Sequence, residues 1–309
     1  MTFRSTIFAN ARRSLARAAL SLSAAFLAST PVFAQDVPEQ APERNWHLGI
    51  ALGLGQRDNP LISGDTIDIN YAIDLSWYGK RFFFDNGDFG YTLFTDDTLS
   101  LNLLGSISNE RSFYHFLTGK QLRLNKESAG ATPIVLPNAD MAATLSATAP
   151  TAKELDDLNR DTALPTRRYA AYGGFELLHI SPYGDVQAQV LSDISKVHNG
   201  QEVWLSWTKP WFFTQEQVSL TLGLQWQSAA LLSYYYGVRP QESFSARPAY
   251  EASAGINRFV RVQARHSFNA HWQAVGMVER EYLSAAIRHS PIVNAAVIDS
   301  VFAGLYYQF

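Results

Sequence analysis

The chain has 309 residues and a formal net charge of −3, and it contains no cysteine. A mildly acidic chain without a basic cluster argues against a nucleic-acid partner. The lack of cysteine excludes disulfides, thiolate metal sites, a cysteine nucleophile and a lipid anchor on a leading cysteine.

Residues 1–34 have the pattern of a secretory signal peptide. Four arginines accompany an apolar stretch, Ala18 to Ala28, and Val32-Phe33-Ala34 supplies the small or aliphatic residues that a signal peptidase reads. We expect cleavage after Ala34, which would remove the four arginines and take the formal charge from −3 to −7. A membrane anchor is an alternative, but the apolar stretch is far shorter than the ~20 residues of a spanning helix. The Arg12-Arg13 pair leaves a twin-arginine signal as another alternative.

Period-2 alternation begins after a polar, proline-containing tail, 35–45, which we predict to lie in the periplasm. From Trp46 to Gly55 and from Ile67 to Tyr78, large apolar side chains alternate with small or polar ones. Such strands fit a wall with lipid outside and a lumen inside. The expected lipid face comprises Trp46, Leu48, Ile50, Leu52, Leu54, Ile67, Ile69, Tyr71, Ile73, Leu75 and Trp77.

Ten further strands are predicted, so that residues 46–309 form one all-β domain, a closed antiparallel transmembrane β-barrel of twelve strands. Their predicted bounds are 81–85, 88–95, 98–108, 168–179, 185–195, 201–208, 217–236, 256–268, 271–283 and 299–309. Ten or fourteen strands remain alternatives. The Asn86-Gly87 pair predicts a hairpin, which makes the strand number even and puts both termini in the periplasm.

Short and long connections alternate between these strands. Tight turns are predicted at Gly79-Lys80, Thr95 to Asp97, Ser181 to Gly184 and Asn269-Ala270. Longer connections occupy 56–66, 109–167, 237–255 and 284–298. Short periplasmic turns and long extracellular loops are typical of outer-membrane barrels. The loop 109–167 is long enough to be either functional or disordered.

The last predicted strand ends on Phe309 with an apolar face that includes Ala303 and Leu305. A closed barrel needs such a strand, because its last strand pairs with its first and no edge is left in lipid. Gly304, Tyr307 and Phe309 also resemble the assembly signal of bacterial outer-membrane barrels. We therefore expect the partners of this strand to be membrane lipid and the barrel-assembly machinery.

Catalytic and metal-binding patterns are weak in this sequence. Asp96-Asp97 lies in a predicted turn, where aspartates are common. His179 and Ser181 lie where a strand ends, and His266 and Ser267 are neighbours that point to opposite faces, whereas a catalytic pair must meet and needs a third group to orient the histidine. No metal-ligand spacing joins His115, His179, His198 and His289. The sequence predicts a protein that is not an enzyme and has no cofactor or metal.

Two groups of side chains have both a functional and a structural interpretation. Charges on two neighbouring strands form either a charged constriction of the lumen or, as we favour, cross-strand pairs that fill a narrow barrel. These charges are Arg258, Arg261, Arg265, Glu279, Arg280 and Glu281. The aromatic residues form either a sugar-stacking platform or, as we favour, an interfacial girdle. They include Trp204, Trp207, Trp211, Phe212, Phe213 and Tyr234 to Tyr236.

Several motifs resemble those of the MipA/OmpV family of outer-membrane barrels. The matching residues are Tyr235, Tyr236, Gly237, Val238 and Pro240, then Pro248, Ala249 and Tyr250 with Ala254-Gly255, then Ser290 to Val293, and Gly304-Leu305 with Tyr307 and Phe309. The early sequence RFFFDNGDFGY also matches. The resemblance is best over 165–309, and the stretch 109–160 resembles an insertion.

This resemblance implies an outer-membrane location and, from the family's naming member, a scaffold that joins a murein-cleaving lytic transglycosylase to a murein synthase. Other members are porin-like or adhesive surface proteins. We therefore expect a scaffold or interaction protein, with a small solute channel or a surface adhesin as alternatives. The family-like loop from Tyr235 to Tyr250 is the candidate working surface, either exposed or packed inward over the barrel mouth.

Overall fold

The computed structural model describes residues 46–62, 64, 66–107, 164, 167–243 and 247–309. The predicted signal peptide, the tail and most of the loop 109–167 lie outside these ranges. Strands account for most of the described chain. They are β1 (Trp46–Arg57), β2 (Ile67–Tyr78), β3 (Phe82–Asp85), β4 (Asp88–Thr95), β5 (Leu99–Ile107), β6 (Ala171–His179), β7 (Asp185–Asp193), β8 (Gln201–Phe212), β9 (Glu216–Gln227), β10 (Gly255–Ser267), β11 (Trp272–Tyr282) and β12 (Val297–Gln308).

These strands close into an antiparallel barrel, in which each strand pairs with its sequence neighbours and β1 pairs with β12. The closing ladder runs from the Gly49–Gln308 pair to the Arg57–Ser300 pair. Phe309 continues this seam, because its amide donates a hydrogen bond of 3.0 Å to the carbonyl oxygen of Leu48. The predicted twelve-stranded closed barrel is confirmed.

Large apolar side chains cover the outside of the barrel wall. On β1, Leu54 is 73% exposed, whereas Ala51 is fully buried inside. Aromatic side chains gather on the outer face near one end, where Trp46 lies 6.0 Å from Trp77 and Trp272 lies 4.9 Å from Tyr307, measured between ring centroids. An apolar outer wall with an aromatic belt is the surface that a bilayer requires.

Strand β2 departs from the predicted alternation. The β1–β2 ladder shifts register between Leu52 and Gly55, so that Tyr71 pairs with Leu52 and Ile69 pairs with Gly55. Ile67 and Ile69 consequently point into the barrel and are buried. The prediction that these two isoleucines face lipid is therefore wrong, because a one-residue irregularity exchanges the two faces of a strand.

Asn86 and Gly87 form the turn between β3 and β4 with positive φ angles of 54° and 98°. Asn-Gly is favoured there because both central residues of such a turn need positive φ. The turn is also tied to β2: the side-chain oxygen of Asn86 accepts a hydrogen bond of 2.7 Å from the Leu75 amide, and the Asn86 amide donates one of 3.0 Å to the Leu75 carbonyl. The predicted hairpin is confirmed.

Two predicted strand ends are wrong. Strand β8 continues beyond 208 to Phe212. Strand β9 ends at Gln227, and the apolar residues that follow form helix α1 (Ala229–Tyr236). Ser228 begins this helix, because its side-chain oxygen accepts a hydrogen bond from the Leu231 amide. A short apolar run does not distinguish a strand from a helix by periodicity alone.

Two further short helical elements belong to the connections between strands. They are helix α2 (Ala285–Arg288) and a 3-10 turn (Pro240–Glu242). In the part of the chain that the structure describes, no helix has the length and apolar character needed to cross a membrane.

The two ends of the barrel differ. The end with Trp46 and Phe309, which we call the turn rim, has the short connections 79–81, 96–98, 180–184, 213–215 and 268–271. The opposite end, which we call the loop rim, carries the connections 58–66, 194–200, 228–254 and 283–296. The predicted asymmetry between short turns and long loops is confirmed for the described residues.

The interior on the side of β1 and β9–β12 is packed with side chains. A β-carbon at Gly49 would overlap the ring of Tyr306, and one at Gly223 would overlap the ring of Phe259. These glycines therefore make room for rings from neighbouring strands. The Tyr306 ring belongs to a buried apolar cluster completed by Ala51, Ile69, Ala72, Val275, Met277 and Phe302.

Candidate functional site

Helix α1 closes the barrel at the loop rim. Tyr235 is fully buried and Tyr236 is 2% exposed. Together with Leu231 and Leu232 they belong to one apolar cluster with inward-facing strand residues. The strand residues of this cluster include Ile67, Leu104, Tyr172, Leu191 and Ile298. We call α1, the segment 237–250 and residues 283–293 the cap.

The family-like motifs, which lie far apart in the sequence, meet in this cap. Val238 and Tyr250 form an isolated β-bridge. The Tyr250 hydroxyl donates a hydrogen bond of 2.7 Å to the carbonyl oxygen of Ala286, and the Ser290 hydroxyl donates one of 2.6 Å to that of Tyr236. The cap is therefore held by contacts among the motif residues themselves.

The structure divides the predicted loop residues into a buried and an exposed group. Tyr235, Tyr236 and Gly237 are buried, and Tyr250 is half-buried. Gly237 ends α1, where a β-carbon would overlap the carbonyl oxygen of Ser233. The exposed group consists of Pro240, Pro248 and Ala249. The first group packs inward over the mouth, and the second group is on the surface of the cap.

Arg167 fastens the cap to the barrel wall. Its guanidinium donates hydrogen bonds of 2.8 and 2.9 Å to the two carboxylate oxygens of Glu242, and one of 3.2 Å to the carbonyl oxygen of Gly237. The same guanidinium lies 5.6 Å from the ring centroid of Tyr234. Burial by itself raises the pKa of Glu242, but the hydrogen bonds from Arg167 and from the Arg239 amide outweigh it, so the pKa lies below its usual value.

His198 lies beneath the cap as a neutral, structural histidine. Its Nδ1 accepts a hydrogen bond of 2.8 Å from the Gly200 amide, so the ring proton is on Nε2, which lies 3.0 Å from the Tyr172 hydroxyl oxygen. Burial lowers the pKa of His198 and outweighs the opposing effect of Asp193. The Nε2 contact therefore holds the loop 194–200 against the wall, and the Nδ1 bond lies within the loop itself.

On the described strands, the arginines that face the inside of the barrel are confined to one wall. The inner faces of β2–β8 carry acidic residues and neither Arg nor Lys. We call this surface the acidic wall, and its members are Asp74, Asp85, Asp88, Glu176, Asp185, Asp193 and Glu202. These acids are distributed over six strands, some of them far apart in the sequence, so only the ladder register reveals that they share one surface.

Glu176 lies at the middle of the acidic wall and is 8% exposed. Its carboxylate accepts three hydrogen bonds, all from neutral amides: Asn102 at 3.0 Å, Gln187 at 2.5 Å and Gln189 at 2.6 Å. Buried carboxylates of this kind are stable only when their oxygens are hydrogen-bonded. Here three side-chain amides supply these hydrogen bonds, and none of them brings a positive charge.

Four of the six predicted charges of β10 and β11 face the inside of the barrel on the opposite wall, namely Arg261, Arg265, Glu279 and Glu281. Arg261 binds Glu279 across the two strands, with Nε 2.6 Å from the carboxylate. Glu281 accepts a hydrogen bond of 2.9 Å from Asn257. We call the inner face of β9–β12 and β1, with Arg57, Arg261 and Arg265, the arginine wall.

The remaining two predicted charges are outside the barrel. Arg258 is exposed, and Arg280 forms a bidentate pair with Asp299 on the outer face at 2.7 Å. Cross-strand pairing is therefore correct for Arg261 with Glu279. A single constriction made of all six residues is wrong, since alternation sends Arg258 and Arg280 to the opposite face.

The predicted catalytic candidates are not joined into a site. The His179 ring donates to the carbonyl oxygen of Thr98, while the Ser181 hydroxyl donates to that of Gly184. His266 lies 3.2 Å from Glu216. Asp96 accepts hydrogen bonds from the amides of the turn that follows it, which lower its pKa.

A buried polar trio inside the barrel also lacks the arrangement of a catalytic triad. His47 Nε2 lies 3.0 Å from the Asp74 carboxylate and 2.6 Å from the Tyr306 hydroxyl. A triad instead places the acid and the nucleophile on different ring nitrogens. Because these residues come from β1, β2 and β12, the trio fastens the closing seam.

The predicted assembly residues lie at this seam. Gly304 pairs with Gly53, and the ring of Tyr307 lies 4.9 Å from those of Trp272 and Phe309 on the outer face. The last strand therefore combines backbone closure with the aromatic belt of the turn rim.

One family model and several known proteins are similar to this chain. A family model described as MltA-interacting protein MipA matches residues 48–309. The MltA-interacting protein of Escherichia coli K12 is 25% identical over 151 residues, which is 47% of this chain and 59% of that relative. Outer membrane protein OmpV of Vibrio cholerae is 30% identical over 87 residues, or 28% of this chain and 34% of OmpV. The matched region thus spans little more than half of the first relative.

Among solved structures, an outer membrane channel from Pseudomonas putida F1 is similar to this chain with a TM-score of 0.35 and 11% sequence identity. The similarity covers 90% of this chain and 100% of that one. An anion-selective porin from Comamonas acidovorans has a TM-score of 0.33 and 9% identity, covering 85% of this chain and 98% of the porin.

Because the family model covers nearly all of the barrel domain, the chain belongs to the MipA family of outer-membrane β-barrel proteins.

Proposed function

We propose that this barrel is an interaction protein of the outer membrane that keeps its mouth closed and binds its partner at the turn rim, in the periplasm. The observation that carries the proposal is the cap, whose Tyr235 and Tyr236 fill the mouth at the loop rim. A mouth filled by buried side chains does not suit the free passage of solutes.

A murein-cleaving lytic transglycosylase is the proposed partner. The support is the name of the E. coli relative, MltA-interacting protein, together with the family match. The turn rim offers reachable side chains to such a partner, since Tyr183 is 84% exposed and Lys80 and Arg81 are also exposed. Exposed aromatic and arginine side chains are common anchors of protein interfaces.

A pull-down tests this proposal. The refolded barrel, immobilised in a nonionic detergent, is expected to capture a purified lytic transglycosylase. Tyr183→Ala at the turn rim should reduce the captured amount, whereas His289→Ala, at an exposed site of the loop rim, should not. Capture that depends on His289 and not on Tyr183 would place the interface at the wrong rim, and absence of capture by the wild type would contradict the partner.

A solute channel is the second candidate. The observation that favours it is the polar lining of the inner face, which includes Asn102, Gln189, Thr208, Thr221 and Gln225. Such side chains suit a water-filled lumen. In this case the cap would have to move before solutes could pass.

A further inference from the structure

We propose that the lumen binds a small organic cation with primary ammonium groups, held on the acidic wall at Glu176. The site is separate from the turn-rim surface proposed for the protein partner. It rests on the distribution of charge inside the barrel, on the partners of Glu176 and on an unsatisfied acceptor beside it.

The acidic wall creates a field that favours cations. On the described strands, the inner faces of β2–β8 present acidic residues without any Arg or Lys, whereas the inner-face arginines are on the opposite wall. A lumen walled by protein focuses such a field, because the low-dielectric surroundings screen it less than bulk water does. A cation that enters is therefore drawn toward the β2–β8 side.

Glu176 is the member of this wall whose local chemistry indicates a ligand. Its hydrogen-bond partners are the amides of Asn102, Gln187 and Gln189, none of which carries a compensating charge. Asn102 is 6% exposed, and its side-chain oxygen has no hydrogen-bond partner. A buried acceptor left without a donor is unfavourable, because it has lost its hydrogen bonds to water. An ammonium group supplies what both residues lack, since it brings a positive charge and three N–H donors.

The chemistry of the wall favours an organic cation over a metal ion. Among the described residues, no group of three or more His, Cys, Asp or Glu side chains is close enough to hold a metal. The acids are spaced by amide and hydroxyl side chains such as Gln189 and Thr208. This mixture of single carboxylates and neutral acceptors suits the dispersed N–H donors of an amine.

The ligand would enter from the turn rim. The cap fills the mouth at the loop rim, whereas Gln187 and Ser206, which pair across β7 and β8 on the turn-rim side of Glu176, are only half-buried. The entrance thus lies at the end opposite to the cap.

Isothermal titration of the refolded barrel in nonionic detergent, with putrescine as the probe, tests the proposal. Putrescine should bind, and 1,4-butanediol, which has the same chain length without charge, should not. Raising the salt concentration should weaken binding by screening the charge. Glu176→Gln should lower the putrescine affinity about tenfold, equivalent to about 1.4 kcal/mol.

Glu216→Gln is the matched control, because it makes the same change in a side chain that pairs with His266 on the outer face. It should leave putrescine binding unchanged. Heat-dependent gel mobility identifies folded protein for each variant. If Glu176→Gln does not fold, Asn102→Ala is the second test, and it should lower the putrescine affinity several-fold. The proposal is overturned if the wild type binds no putrescine, if it binds the diol equally well, or if the lumen variant that folds binds like Glu216→Gln.

Discussion

Arg167 and Glu242 are 75 residues apart in the sequence, and two hydrogen bonds of 2.8 and 2.9 Å join them. Arg167 precedes the first residue of β6 by four positions, and Glu242 ends the 3-10 turn of the cap. The pair therefore connects the barrel wall to the cap. The Arg167 side chain is 1% exposed, so its charge depends on these partners for compensation.

Replacing Arg167 by Ala should loosen the cap without opening the barrel wall. Removing one partner of a buried ion pair costs about 3–5 kcal/mol, and we expect the low end of this range because Glu242 is only partly buried. Calorimetry should show a lower unfolding temperature, and limited proteolysis should cut the segment 237–250 faster. The control is Arg288→Ala, at an exposed arginine of α2. Equal behaviour of the two variants would refute the anchoring role.

The same pair predicts a loss of cap stability in acid. The pKa of Glu242 in the folded protein lies below its usual value of 4.5. The ionised carboxylate therefore stabilises the folded state fully above that usual value, and this contribution disappears as the pH falls through the lowered pKa. The unfolding temperatures of the wild type and of Glu242→Gln should differ at neutral pH and converge in acid. A difference that stays constant across this range would contradict the assignment.

Much of the barrel was predictable because its physical causes are local. Alternation identified the outer faces of β1 and β12, and the Asn86-Gly87 pair identified the hairpin, since both depend on neighbouring residues. The inward turn of Ile67 and Ile69 was not predictable, because it follows from a register shift against β1. Helix α1 was missed because its apolar residues also suit a strand, and Ser228 was the single local sign of its start.

The candidate site was predictable only as a set of motifs. Tyr235, Tyr236 and Tyr250 were identified, but their burial in the mouth depends on the closure of the barrel around them. No sequence pattern indicated the acidic wall. Glu176 and its partner Asn102 are 74 residues apart and become neighbours only through the β5–β6 ladder.

The outer face of β1 should reject charge. Ile50 lies in the apolar outer row between Leu48 and Leu52, and an arginine on a lipid-facing strand position costs about 2–4 kcal/mol near the bilayer midplane. Ile50→Arg should reduce the folded fraction in lipid vesicles, measured by heat-dependent gel mobility. Gln56→Arg, on the same face near the loop rim, should have little effect. Equal tolerance at both positions would show that the outer face is misassigned.

The last residue should be needed for efficient assembly. Phe309 closes the seam through its amide bond to Leu48 and packs its ring on Tyr307 at 4.9 Å. Phe309→Asp places a charge in this aromatic belt, and we expect less folded protein in the membrane. Gln308→Asp introduces the same charge one residue earlier, on the other face of the strand, and should be tolerated better. Wild-type amounts of folded Phe309→Asp would disprove this role.

Conductance in a planar lipid bilayer tests most directly whether the cap closes the barrel. The wild type should show no steady open channel. The double variant Tyr236→Ala, Tyr250→Ala removes two rings of the cap and should conduct while retaining the folded barrel, and Pro248→Ala, at an exposed site of the same loop, should stay closed. A wild type that conducts steadily, with no change in the double variant, would contradict the capped barrel.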